Sequence, residues 1–210
     1  VGAGFTECCH YSLRDAAELE RTLGADKAAA VALDNPLTAE QTHLRASLVP
    51  GLAGALALNL SVHADPRGLF EVGTVFRPQA DGTVREFLSV AFAAVAEPVT
   101  RSWKSREPFD ALRAKRLLQD AGALAGVAPV RLSFAAAAGG LWQADHAAAL
   151  VDRGRAAEGA CGVLDLRWTR SLGLKGSVVA GEVCFPRAAF AEARKVPRFE
   201  AFSSFPPVTK

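Results

Sequence analysis

A mostly antiparallel β-sheet flanked by helices, an α+β fold, is what this 210-residue sequence predicts. Three observations carry it. The stretch Leu69 to Phe92, LFEVGTVFRPQADGTVREFLSVAF, reads as two strands joined by a polar loop. Leu44, Leu48, Leu52, Leu56 and Leu60 recur every four residues, the stripe of a helix facing a core. The remaining strand and helix signals do not follow the regular β-α-β alternation that builds a parallel sheet.

Taken in order, Gly4 to Leu13 (GFTECCHYSL) reads as a strand, and Asp15 to Leu23 as a short helix closed by Gly24. Asp34-Asn35-Pro36 is a turn, and Thr38 can cap the segment after it. The leucine stripe then begins, and Pro50 interrupts it as the first residue of a new helix. Asp65-Pro66-Arg67-Gly68 turns the chain into the hairpin. There Phe70, Val72 and Phe76 alternate with Glu71, Gly73 and Val75, the period of a half-buried strand. Pro78 ends that strand, Asp81-Gly82 supplies the turn, and strand character resumes at Phe87. Arg77 thus leaves the rim of a rigid sheet, where a guanidinium can hold a phosphate or carboxylate through two parallel hydrogen bonds.

Glu107 to Gly122 reads as a helix with Phe109, Leu112, Leu117 and Ala121 on one side. Val130 to Phe134 and Leu141-Trp142 are strand-like, with a small helix or turn around Asp145 to Leu150. Cys161 to Leu166 and Ser177 to Phe185 are further strands, and Pro186 opens a short helix over Arg187 to Ala193. The tail Phe199 to Lys210 (FEAFSSFPPVTK) is aromatic, proline-rich and aperiodic, and reads as the start of a linker. The expected organisation is one domain over residues 1–198 and a linker over 199–210. The chain contains no methionine and begins at Val1, so it is expected to be a piece of a longer protein.

Half the residues are hydrophobic and 22% are charged, ordinary for a globular protein, and the net charge of +2 is too small to draw in nucleic acid or a membrane by field alone. No apolar run approaches the roughly 18 residues of a membrane span. Cys8, Cys9, Cys161 and Cys184 form no CxxC, and His10, His43, His63 and His146 show no ligand spacing. The cysteines read as free, mostly buried thiols of a reducing cytosol, with no metal. No phosphate loop, dinucleotide fingerprint, zinc-protease motif or nucleophile elbow occurs, and no acidic pair is spaced for acid–base work. His146, after Asp145, is the best lone polar candidate. Residues alone lead to a cytoplasmic α+β domain without an evident active site.

The hairpin adds a resemblance. Phe76-Arg77-Pro78-Gln79 and Arg85-Glu86-Phe87 look like a degenerate copy of the second motif of class II aminoacyl-tRNA synthetases. Together with Gly4-Phe5-Thr6-Glu7, Asn35-Pro36-Leu37, His43 to Gly51 (HLRASLVPG), LFEVGTVF and the closing SSFPPVTK, the chain resembles the catalytic-like module of bacterial phenylalanyl-tRNA synthetase beta subunits. The combined order is specific, although each piece alone is weak.

The resemblance implies a class II synthetase-like fold. It also implies that catalysis belongs to an alpha subunit, which activates phenylalanine with ATP and charges tRNA(Phe) within an alpha2beta2 assembly. This module then packs against alpha as a scaffold. No cofactor is expected in it; ATP and Mg2+ serve the holoenzyme. Tyr11 stands where the first motif has proline, Gln79 where the second has glutamate, and Val183 follows Glu182 where the third has arginine. Arg77, Gln79 and Glu182 are therefore expected as remnants of an ATP site, with no catalytic residue. Arg101, Trp103, Lys104, Arg106, Arg113 and Arg116 are candidate tRNA contacts, or an ordinary solvated face. The alternative is a surviving ATP- or amino-acid-binding or tRNA-contacting module with a regulatory role.

Overall fold

Seven strands hydrogen-bond into one sheet in the order β1 (Thr6–Glu7), β5 (Leu69–Pro78), β6 (Val84–Val95), β10 (Val178–Pro186), β9 (Glu158–Leu164), β8 (Trp142–Asp152) and β7 (Leu132–Ala136). Only β1 against β5 runs parallel. Three two-residue strands, β2 (Leu13–Arg14), β4 (His43–Leu44) and β3 (Val31–Ala32), make a second small sheet. The helices are α1 (Ala16–Leu23), α2 (Val49–Ser61), α3 (Ala111–Leu124) and α4 (Leu166–Ser171). The computed structural model describes residues 4–23, 30–62, 68–96, 108–124, 132–136, 140–152 and 157–187. No helix among them is long and apolar enough to cross a membrane.

β10 is the centre of the sheet. It pairs with β6 on one side and β9 on the other, and Val178 to Phe185 are all buried. A strand covered on both faces needs a near-continuous apolar run, and VVAGEVCF supplies one broken only by Glu182. One face packs under α2, where Leu48, Val49, Leu52 and Leu56 meet Val75, Phe87, Ala91, Val178, Ala180 and Cys184. The other packs under α3, where Ala114 and Leu118 meet Phe92, Cys161, Val179, Val183 and Phe185. Phe5, Phe92 and Phe109 close that second core edge to face, with centroids 5.4 to 5.9 Å apart.

The hairpin forms as expected and runs longer. Its ladder continues through Arg77 opposite Arg85 to Pro78 opposite Val84. Asp81 takes the Thr83 N–H (2.9 Å) and hydroxyl (2.6 Å), and Gly82 turns with φ +80°. The burial is not what the alternation suggested. The Leu69, Glu71 and Val75 side is fully buried under α2, whereas Val72 is exposed.

Four other expectations are corrected. The leucine stripe is not helical at its start: Leu44 lies in β4, paired with both Leu13 and Val31, whereas α2 starts five residues later with Pro50 in its first turn, as the interruption there suggested. Gly4 to Leu13 is not one strand, because β1 stops at Glu7 and the backbone of His10 turns to the Glu71 carboxylate. Leu112 is 74% exposed, and Ala114 and Leu118 carry the buried face of α3 instead. Asp145 to Leu150 is strand, not helix. It belongs to β8, which is paired on both sides and carries an irregularity between Trp142 and Ala147, where Asp145 takes φ +62°. The 1–198 and 199–210 division, the Arg187 to Ala193 helix and the Asp65 to Arg67 turn lie wholly or largely outside the described residues.

Helix α4 has no counterpart among the sequence expectations. Asp165 caps it, accepting from Arg167 N (3.0 Å) and Trp168 N (2.9 Å). Asp165→Ala should cost about 1 kcal/mol, read as a lower urea midpoint with an unchanged slope. Asp165→Asn should cost only a few tenths.

Candidate functional site

The α2 face of the sheet carries its polar side chains in two connected groups. The first is on the central strands. Glu182 of β10 is 8% exposed, and its carboxylate accepts from Ser47 Oγ (2.5 Å), Leu48 N (2.8 Å) and Ser89 Oγ (2.6 Å). Leu48 precedes α2 and has no side-chain cap of its own, so a carboxylate from the sheet sits at the positive end of that helix. Further along the same face the Cys184 thiol lies 3.6 Å from Ser89 Oγ and 3.7 Å from Arg77 Nη2.

Arg77 ends this row, and its Nη1 donates to Glu158 of β9. Its guanidinium also lies 4.9 Å from the Phe87 ring, which Arg85 approaches from 5.1 Å. The group expected to hold a phosphate is thus already engaged with a carboxylate. Gln79 is in the exposed turn, with Nε2 donating to Pro78 O (3.1 Å), away from that row. Arg77 and Glu182 share the sheet face; the three expected remnants do not converge. Val183 faces the α3 core, and the strand that carries it is interior, flanked by β6 and β9.

The second group is buried where β5, the His10 segment and the approach to α2 meet. Arg45 is 4% exposed and donates through Nη1 to Glu71 Oε1 (2.6 Å) and through Nε to Thr74 O (2.9 Å). Glu71 Oε2 lies 2.5 Å from His10 Nδ1. Burial pushes the Glu71 carboxyl up, but the hydrogen bonds from His10 and Arg45, with the Arg45 charge, outweigh it and hold the group below the usual value.

Thiol chemistry finds no support. Burial, then the charge of Glu182, pushes Cys184 far up, and burial lifts Cys161 to about 11. All four cysteines are free thiols, with Cys161 and Cys184 buried and Cys9 exposed. No cluster of three metal-ligating side chains exists among the described residues. His146 is exposed, with its ring bonded locally to Ala144 O (2.9 Å). Of the candidate tRNA contacts, Arg113 and Arg116 are exposed on α3, where Arg116 pairs with Asp120 (3.0 Å). Arg101, Trp103, Lys104 and Arg106 lie outside the described residues.

The residues that build these groups, Glu158, Glu71, Arg45, His10 and Ser89, carry a weak signal in the sequence. Glu71 and Ser89 are polar positions inside apolar strands, and Arg45 precedes the most apolar helix. Nothing local identifies Glu158 as the partner of Arg77, 81 residues earlier.

Comparison with known proteins agrees with this architecture. The family described as the phenylalanyl tRNA synthetase beta chain CLM domain matches residues 1–185. Phenylalanine–tRNA ligase beta subunits are similar to the chain. That of Mannheimia succiniciproducens is 28% identical over 207 residues, 96% of this chain and 26% of the relative. That of Cereibacter sphaeroides is 29% identical over 177 residues, 84% of this chain and 21% of the relative. The chain spans about a quarter or less of these relatives. Among solved structures, a pyrrolysyl tRNA synthetase from Desulfitobacterium hafniense superposes with a TM-score of 0.58 at 16% identity, over 88% of this chain and 61% of that one. The fold is therefore class II synthetase-like.

Proposed function

Because this chain belongs to the phenylalanyl-tRNA synthetase beta chain family, within its CLM domain, we propose that it serves a phenylalanine–tRNA ligase as a non-catalytic scaffold in the cytoplasm. In this reading ATP, Mg2+ and phenylalanine are handled by a partner alpha subunit, tRNA(Phe) is charged there, and this module supports an alpha–beta heterotetramer. The observation that carries the reading is the Arg77–Glu158 pair. Adenylyl transfer needs cationic groups free to meet developing phosphate charge. Here the sheet's own carboxylate occupies the guanidinium, and a nucleotide would have to displace it. The Glu182 carboxylate is likewise committed, to α2 and β6.

Two measurements test this. The whole beta subunit with the module deleted should fail to assemble with alpha in size-exclusion chromatography; normal heterotetramers would refute the scaffold role. Calorimetry of the intact beta subunit without alpha should show no heat with MgATP up to about 1 mM. One observation favours a residual ligand site: Arg85 flanks the Phe87 ring beside Arg77 and has no ion-pair partner among the described residues. Binding tighter than that limit, lost in Arg85→Ala, would establish that reading. A tRNA-contacting role through Arg113 and Arg116 is tested by charge reversal to glutamate, which should leave the salt dependence of tRNA affinity unchanged if they are only a solvated face.

A further inference from the structure

Away from the sheet face, α1, α2 and α4 border a cleft of about 450 Å3. Small-molecule sites commonly have this size. Two glycines of α2, Gly51 and Gly54, line it. At Gly51 a Cβ would collide with Arg14 Nη2, so packing explains that glycine. At Gly54 a Cβ would meet nothing within 4 Å. A glycine inside a helix is unfavourable relative to alanine, and here no packing contact requires it. Its effect is to keep the cleft open.

The lining carries both signs of charge. Arg14 Nε is enclosed 3.5 Å from Glu18 Oε1 without a hydrogen bond. Its Nη atoms have no hydrogen-bond partner among the described residues. His10 has its Nδ1 on Glu71, and Nε2 has no partner among the described residues. Asp15 commits Oδ1 to the Glu18 N–H (2.6 Å) as the start of α1, and its second oxygen has no further partner among the described residues. The rest is apolar, chiefly Trp168, Leu172, Ala55 and the exposed Leu58.

A simple anion would be repelled by Asp15 and Glu18, and a simple cation by Arg14. Adjacent charges of both signs beside an indole suit a ligand with both charges and an apolar group. We propose that this cleft binds a free α-amino acid with an apolar side chain. Arg14 and His10 hold its carboxylate, the Asp15 carboxylate its ammonium, and Trp168 with the open floor at Gly54 its side chain. The proposal does not depend on the scaffold reading.

The test uses the whole beta subunit that carries this chain, followed by saturation-transfer NMR and calorimetry. The probes are L-leucine, 4-methylpentanoate (leucine without its ammonium) and isopentylamine (leucine without its carboxylate). Leucine should bind with a Kd of about 1 mM or better, and each analogue about tenfold more weakly. Gly54→Leu puts bulk into the cleft from a position where a Cβ meets nothing within 4 Å, and should weaken leucine binding at least about tenfold while melting at or above the wild-type temperature. Arg14→Gln should weaken it comparably, with circular dichroism confirming the fold. No binding of leucine at about 10 mM, an unchanged affinity in folded Gly54→Leu, or equal binding of either analogue would overturn the proposal.

Discussion

Replacing Glu182 by alanine is expected to destabilise the protein by about 4 kcal/mol. The carboxylate lies on the central strand and accepts from two hydroxyls and a backbone N–H. Those donors are themselves buried: Ser47 is 7% exposed, while Ser89 and Leu48 are fully enclosed. Alanine leaves all three without an acceptor where water cannot replace it, at roughly 1–3 kcal/mol each when nothing relaxes. It also opens a void under α2. Glu182→Gln keeps the shape and one acceptor oxygen, but turns an N–H2 toward a donor, so a loss of about 1–2 kcal/mol is expected. The triple variant Glu182→Leu, Ser47→Ala, Ser89→Ala removes the two hydroxyl donors together with the acceptor, leaving only the Leu48 N–H without its partner, and should recover part of the loss. Urea unfolding decides: a cost below about 1 kcal/mol for Glu182→Ala would show that the carboxylate is not the fastening of α2 to the sheet.

This role bears on function as well as stability. A carboxylate that holds a helix in place is already committed, and a ligand could take it only by displacing those contacts. The same residue that resembles the remnant of a third motif is thus a structural tie in an interior strand. Arg77 follows the same logic more weakly. Its pair with Glu158 is about one-third to one-half exposed, at 33% and 47%, so solvent screens it, and it can be displaced more readily than the Glu182 network.

The elements legible in the sequence are those with local causes. Asp81-Gly82 between two alternating runs specifies the hairpin through turn chemistry, and Pro50 specifies where α2 can begin. The elements that differ from expectation are decided at a distance. Leu44 fits the four-residue stripe, but the ladder with Leu13 and Val31 claims it. The alanines at 147–149 favour a helix by propensity, yet strands on both sides hold them in β8. The two sides of β5 both look apolar in part, and the side that carries Glu71 is the buried one because Arg45 and His10 meet the charge there. Alternation cannot reveal that choice. The motif residues are visible one by one, whereas their partners, Glu158 for Arg77 and Ser47 and Ser89 for Glu182, come from other elements and leave no spacing to read.

Arg45→Met should be nearly as severe as loss of Glu182, about 3–4 kcal/mol near neutral pH, and its size should depend on pH in a direction opposite to ordinary acid sensitivity. Glu71 is 1% exposed, and Arg45 supplies both a 2.6 Å hydrogen bond and the nearest permanent positive charge. In the wild type the folded carboxyl titrates below its unfolded value. Its contribution is therefore fully present above the unfolded carboxylate pKa of about 4.5 and is lost as pH falls through the lower folded value. Without Arg45 the effect of burial dominates, and the folded carboxyl is expected to titrate above the unfolded one. The variant then gains stability as Glu71 takes up a proton on acidification, so the gap from wild type should narrow between pH 7 and about pH 5. Arg45→Met combined with Glu71→Gln removes the uncompensated charge and should recover a substantial part of the loss at pH 7 while abolishing the pH dependence of the gap. Arg45→Lys should rescue only partly, because an ammonium cannot reach both Glu71 and the Thr74 carbonyl with a fixed fork. A gap that stays constant across that pH range would show that Arg45 contributes by packing alone and that Glu71 is held by His10.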